Sequence, residues 1–362
     1  MTIKKYWQNR HSKLILLSIF AVVMSFQNSV YAQSAFHQLA KETIEKFPDD
    51  TEFAIGMISN GQKRFIGLKK TTQGIEAVRN ETDVFQIGSI SKVFTSVILA
   101  SLAEKDKIDM EMDTSKLYDT LYNHEITLKS LANHTSGLDR LPDNFAESAA
   151  KNRSNPYMNY SQKELYAYLN SNFEFNPAVY NYSNLGYGLL GHSLEKITEK
   201  PYEELLQEEI LTPLDMNLTT SNPSDTKNRV KALDKDGYIA AYWTFDALKG
   251  VGGIFSSSSD LLKFLYASTN QTHPGIYLSL KETLKISDRE AIALGWHILN
   301  TKSGKRWIWQ NGAVGGFTSC MVTNPETGNA VVVLSNVSAF HEDMQRIDKL
   351  CFDSMQELEK KK

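Results

Sequence analysis

Ser89 and Lys92 stand three residues apart in Gly88-Ser89-Ile90-Ser91-Lys92. On a helix that spacing puts both side chains on one face. A serine hydroxyl is a poor nucleophile until a neighbour takes its proton. A lysine held close and partly desolvated is neutral enough to take it. The helix expected to begin at Ser89 adds free backbone N–H groups and a dipole that favour developing negative charge. Alone, Ser-x-x-Lys describes equally well an N-cap serine followed by a solvated lysine. A second element, Tyr182-Ser183-Asn184, also falls at an expected helix start. A phenol near a lysine can relay protons, and an asparagine amide can both donate to and accept from a substrate amide. Its plain alternative is a capping Ser or Asn beside a core tyrosine. The third element runs from Gln310 to Phe317 through Asn311, Gly312, Ala313, Val314, Gly315 and Gly316. Glycines this dense let a ligand approach the backbone. A backbone N–H here, together with that of Ser89, can form an oxyanion hole. The alternative is a glycine-rich turn between strands.

In this order the three elements resemble those of the class C β-lactamase and D-alanyl-D-alanine peptidase family: Ser-x-x-Lys, Tyr-x-Asn, then Lys/His-x-Gly. Ile126-Thr127-Leu128 with His134-Thr135-Ser136-Gly137-Leu138, Pro213-Leu214-Asp215-Met216, Gly252-Gly253, Asp260-Leu261 and Gly295-Trp296 resemble its flanking segments. The likeness spans about Phe53 to Ser335. It implies Ser89 as nucleophile, Lys92 as its proton acceptor and Tyr182 as a second proton shuttle, in an order the motifs leave open. It further implies that Asn184 binds the acyl-side amide, that Gln310, Asn311 and Gly312 form the substrate-binding strand motif, and that the N–H groups of Ser89 and Ala313 hold the oxyanion. The implied activity is hydrolysis of a β-lactam amide, a D-alanyl-D-alanine amide or a related ester. A non-catalytic sensor that keeps the fold is the alternative from another class. One residue departs from the pattern, because Gln310 stands where a lysine or histidine is usual. A neutral amide cannot attract a substrate carboxylate by charge, a loss worth on the order of 1.5–3 kcal/mol. Lys302, Lys305 and Arg306 are the nearby cations that can compensate.

The elements that must position these residues follow from periodicity. Phe36 to Phe47 reads as an amphipathic helix. Phe53 to Ile58 and Arg64 to Leu68 read as strands about an Asn60-Gly61 turn. A long helix is expected from Ser89, with others at Ser161 to Leu169, Asn184 to Ile197 and Tyr202 to Leu211, the last opened by Pro201. Strands return at Leu294 to Leu299, Arg306 to Gln310, Phe317 to Thr323 and Ala330 to Leu334, and a last helix runs from about His341 to Glu359. Strands at both ends with helices between predict an α/β (α+β) fold. It is an antiparallel sheet flanked by helices, completed by both termini, with an all-helical lobe at roughly 105–245 inserted in it. This is the β-lactamase/transpeptidase-like architecture that the resemblance implies.

The 362 residues, 41% hydrophobic and 22% charged, are those of an ordinary folded chain. A net charge of −3 with no basic half argues against nucleic acid as a partner. Lys4, Lys5, Arg10 and Lys13 precede an apolar run from Leu14 to Phe26, and Val30-Tyr31-Ala32 has small residues where a signal peptidase reads. A signal peptide over 1–32 is therefore expected, then one hydrolase domain over 33–362, periplasmic or secreted, without a stable membrane anchor. Its loss takes the net charge from −3 to −7. Cys320 and Cys351 either pair, as export permits, or are two buried thiols. No Gly-x-Ser-x-Gly occurs, and the eight histidines show no metal-ligand spacing. His134 reads as a structural helix-end residue, and Trp296 and Trp309 as core by default. A monomer needing no metal or cofactor, with a small-molecule or peptide substrate, completes the expectation.

Overall fold

Sequence-distant strands meet side by side in one sheet. The computed structural model describes residues 35–121, 124–171, 180–225 and 228–360; the expected signal peptide lies outside them. A first helix covers 35–44. Strands β1 (Glu52–Ser59), β2 (Gln62–Thr71), β3 (Gly74–Ala77) and β4 (Phe85–Gln86) lead to helix α1 (Ser91–Glu104). Helices α2 (Leu128–Ala132), α3 (Phe145–Ala150), α4 (Gln162–Leu169), α5 (Asn184–Thr198), α6 (Tyr202–Leu206) and α7 (Lys249–Gly252) follow. After β5 (Phe255–Ser256) come α8 (Ser258–Asn270) and α9 (Pro274–Ser279). Strands β6 (Leu284–Lys285), β7 (Glu290–Ile292), β8 (His297–Asn300), β9 (Arg306–Val314), β10 (Phe317–Asn324) and β11 (Asn329–Ser335) then precede α10 (Gln345–Glu359).

Nine of the described strands form one antiparallel sheet, ordered β3-β2-β1-β11-β10-β9-β8-β7-β6. The ends of the chain meet where β1 pairs with β11, Phe53 opposite Ser335. Asn60 and Gly61 close β1 onto β2, both at positive φ (51° and 73°), the geometry of a two-residue turn that suits twisted strands. Strand side chains alternate between two apolar layers. Ala54, Ile58, Met321, Val332 and Leu334 face the core that also holds α1 and α8. Phe53, Ile55, Cys320, Val331 and Val333 face Ile347, Leu350 and Met355 of α10, with Phe36, Ala40 and Ile44 of the first helix. Both faces are therefore covered, which is why β10 and β11 are buried along their whole length.

Helix α1 carries apolar residues almost all round and is buried from Ser91 to Leu102, as a helix in the middle of a large core must be. Phe94 stacks on Phe264 of α8 at 4.7 Å. Burying one such ring removes about 1.5–3 kcal/mol of apolar exposure from water.

Several expected bounds shift. Ser89 lies in a 3-10 turn, Gly88–Ile90, and the α-helix starts at Ser91. The stretch Tyr202 to Leu211 divides into α6 and a π-helical turn, Gln207–Leu211. Strand β8 starts at His297 rather than Leu294, because Gly295 turns the chain at φ 76°. Strand β9 runs on to Val314, so Gln310 to Val314 is ladder rather than turn. The last helix starts at Gln345. Strands β3, β6 and β7 were not anticipated: each is four residues or fewer, too short to show a period.

Candidate active site

The turn that carries Ser89 is pressed against β9. Gly88 takes φ 53°, and a Cβ there would stand 2.6 Å from Ala313 N. Across the gap, a Cβ on Gly312 would fall on Ile87 O and 2.8 Å from Ser89 N. Two glycines facing one another permit this approach. The Ser319 hydroxyl of β10 ties it down by donating to Ile87 O at 2.9 Å. The backbone nitrogens of Ser89 and Ala313 are thus brought to one edge of the cleft, the arrangement that binds a tetrahedral oxyanion.

Lys92 sits one turn into the core. It is fully buried, its Nζ lies 2.9 Å from Ser89 Oγ, and it donates to Val251 O at 3.0 Å. The aromatic rings of Tyr182 and Tyr187 flank Nζ at 5.1 and 5.8 Å. Burial, helped by the positive charge of Arg140, pushes the ammonium well below the usual lysine range. In its neutral form the amine has a lone pair within reach of the Ser89 hydroxyl.

Tyr182 precedes α5. Its phenol is hydrogen-bonded to Ser89, and burial raises it to about 12, so it stays protonated at neutral pH. Ser183 caps α5, accepting from Gly186 N at 2.8 Å. The His134 ring supports this corner at φ 63°, just after the α2 C-cap Asn133. It packs on Tyr182 at 4.4 Å and its Nδ1 accepts from Ser183 N at 3.0 Å. Burial holds this histidine neutral, well below its usual range, which suits the expected structural part. Asn184 is 7% exposed, and its Nδ2 donates to Tyr157 Oη at 3.0 Å. Its Oδ1 is buried with no partner among the described residues, an acceptor left for a substrate N–H.

Two lobes of about 320 Å³ each open from Ser89. One is mixed in character, with Leu141, Tyr157, Trp243, Phe245 and Phe340 lining it alongside Asn184. The other is polar, lined by Tyr182, His297, Asn311, Gly312 and Ala313. Arg140 lines both.

The expected substrate-facing role of Gln310 is corrected by this geometry. The side chain is 1% exposed and stays outside both lobes. Its Nε2 donates to Gly295 O at 3.1 Å, and its Oε1 accepts from Asn311 N at 3.1 Å. Strand alternation turns it inward with Ile308 and Val314. Asn311 reaches the polar lobe, but its Nδ2 donates to Asp348 Oδ2 of α10 at 2.6 Å. The cations considered as replacements are not in the cleft. Arg306 lies 3.7 Å from Glu282 and Lys305 3.8 Å from Glu359. Both sit at the far end of β9 from Gly312, and Lys302 in the turn before it. Trp296 is core, donating to Ser279 Oγ at 3.2 Å, and Trp309 stacks on His297 at 4.6 Å without lining the cleft. Cys320 and Cys351 are free buried thiols, with Cys351 Sγ 3.5 Å from Cys320 O.

The sequence profile of the beta-lactamase family matches residues 49–353. The chain belongs to the beta-lactamase family. Among curated proteins it is similar to the D-alanyl-D-alanine-carboxypeptidase/endopeptidase AmpH of Escherichia coli, 28% identical over 80% of this chain and 82% of that protein. It is also similar to Protein flp of Staphylococcus aureus, 25% identical over 79% of this chain and 59% of that longer protein. In fold it matches a class C beta-lactamase mutant with a TM-score of 0.73, at 19% identity over 90% of this chain and 97% of the other. Family and fold make it a serine hydrolase of the beta-lactamase/transpeptidase kind.

Sequence reasoning missed several cleft residues of this beta-lactamase family member. Arg140 lies two residues beyond the recognised His134–Leu138 stretch, and His297 directly follows Gly295-Trp296. Each was within reach by adjacency to a marker. The aromatic wall gave no signal, since Tyr157, Trp243 and Phe340 are far apart in sequence and meet only at Ser89. His297 is held at about 4 by burial and is neutral near pH 7.

Proposed function

We propose that the chain is an exported hydrolase that forms an acyl-enzyme on Ser89 and acts on β-lactam amides. The observation that carries this reading is a fully buried lysine, driven toward its neutral form, 2.9 Å from a serine hydroxyl at the mouth of a cleft. Lys92 takes the Ser89 proton as Oγ attacks the carbonyl carbon. The carbonyl π electrons move to oxygen, held by the N–H groups of Ser89 and Ala313. Tyr182, protonated with its pKa near 12, gives its proton to the leaving nitrogen as the C–N bond breaks. Lys92 restores that proton to the phenol. A water then attacks the ester, losing its proton to the same relay, and Ser89 leaves as the hydroxyl. The order left open by the motifs is resolved in this reading: a neutral lysine is the better base and a protonated phenol the better acid. Asn184 Oδ1 accepts the acyl-side amide N–H. Export to the periplasm or medium rests on the N-terminal segment.

The likeness to a D-alanyl-D-alanine-carboxypeptidase/endopeptidase favours a second reading, in which the substrate is a D-alanyl peptide and β-lactams acylate without rapid release. Intact-mass spectrometry of the mature protein with a penicillin, followed beside product formation, decides between them. A transient adduct with steady ring opening supports the β-lactamase reading, and a long-lived adduct the peptidase. No adduct with any penicillin or acyl ester, or an adduct that persists in Ser89→Ala, sinks both.

A further inference from the structure

We propose that Arg140 reads a substrate carboxylate in this cleft, the task expected of the third motif that Gln310 does not perform. The inference rests on the hydrolase reading and specifies the substrate class: amides or esters bearing a carboxylate. Arg140 is exposed and lines both lobes beside Ser89. Among the described residues lining them it is the one charged group, and no Asp or Glu accompanies it. Lys92 behind it is fully buried, with its ammonium pushed well below the usual lysine range, and His297, held at about 4, is neutral near pH 7.

The position of Arg140 is fixed at both ends. Its backbone carbonyl accepts from Asn184 N at 2.9 Å and Leu185 N at 3.2 Å, anchoring it to the start of α5. Its guanidinium carbon lies 5.1 Å from the Tyr182 ring centroid, where cation–π attraction orients a planar fork. That fork makes no ion pair or hydrogen bond among the described residues. An unpaired guanidinium on an aromatic face, open to solvent beside a nucleophile, matches the bidentate geometry of a carboxylate. The same charge also weakens the hold of Lys92 and Tyr182 on their protons, so a positioning effect is the alternative to be separated.

The test compares a penicillin with its methyl ester, which differ at the carboxylate. In the Ser89→Ala protein, calorimetry should show the acid bound about ten- to hundred-fold more tightly than the ester. Adding Arg140→Gln should erase that preference, and Arg140→Lys should restore part of it. With Ser89 intact, the acid-to-ester ratio of kcat/KM should fall by the same factor, through KM. A preference that survives Arg140→Gln, or is absent in Ser89→Ala itself, overturns the proposal. So does an equal fall in kcat for both substrates, which marks positioning only. Loss of the binding preference without any acyl adduct would overturn the hydrolase reading and leave the assignment of Arg140 standing.

Discussion

The two faces of β9 hold two buried titratable groups with opposite fates. On the α1 face, burial pushes the Lys92 ammonium well below its usual range beside an open cleft. On the α10 face, burial raises the Asp348 carboxyl to about 6, against the help of its hydrogen bonds from Asn311 and Cys320. Around it lie the Cys320 and Cys351 thiols, the former held protonated by burial. Desolvation perturbs both groups, as burial of any charge does. Only Lys92 has a hydroxyl in reach and a cleft in front of it. Perturbation therefore marks burial, and access to a cleft separates chemistry from packing.

The largest expected effect falls on the α1 face. Lys92→Met should lower kcat/KM by about 10²–10⁴-fold and abolish the adduct on Ser89, with circular dichroism unchanged. Retained turnover would place the base elsewhere and break the contrast. Next comes the seam between the faces. Gly312→Ala puts a methyl on Ile87 O and against Ser89 N, so kcat should fall about 10²-fold, comparable to losing an oxyanion donor. Asn311→Ala, one residue along but directed at Asp348, should cost less than about tenfold. Equal losses in the two variants would mean that the face is irrelevant.

A pH profile sharpens the same comparison. The reading predicts an acid limb in kcat/KM, because activity is lost as Lys92 becomes protonated. It predicts no alkaline limb from Tyr182 below about pH 11, its phenol being raised to about 12. Asp348→Asn should leave the acid limb in place; its disappearance would assign that titration to the α10 face.

The smallest effect is on stability. The folded pKa of Asp348 lies above its unfolded value, so the unfolded chain ionises first. Stability is therefore lost as pH rises from about 4 to about 6, and the cost is constant above. Asp348→Asn removes it. Denaturant unfolding should show the variant gaining on the parent across that window, by on the order of 3 kcal/mol at pH 7. A difference that does not vary with pH would mean that Asp348 is not perturbed in the fold.

Much of this was legible because the informative residues act locally. Ser89 and Lys92 share a face by spacing alone, Ser183 caps the helix that Asn184 begins, and Asn60-Gly61 dictates its hairpin. Gln310 was misread because the motif gives a position along β9 but not the direction of a side chain, which depends on strand register. The replacement cations failed for a related reason: adjacency in sequence along an extended strand becomes distance in space, about 3.3 Å per residue.

By itself the sequence determined the three-residue spacing of Ser89 and Lys92 and the antiparallel sheet closed by both termini, since each depends on periodicity or turn chemistry. Tertiary structure alone decided that burial pushes the Lys92 ammonium well below its usual range, that Gln310 faces inward, that the two cysteines are neighbouring thiols and that Arg140 stands at the mouth with no ion pair among the described residues. These four depend on burial and on what lies across the gap from residues distant in sequence. Desolvation and direction are properties of the packed molecule, and no spacing along the chain encodes them.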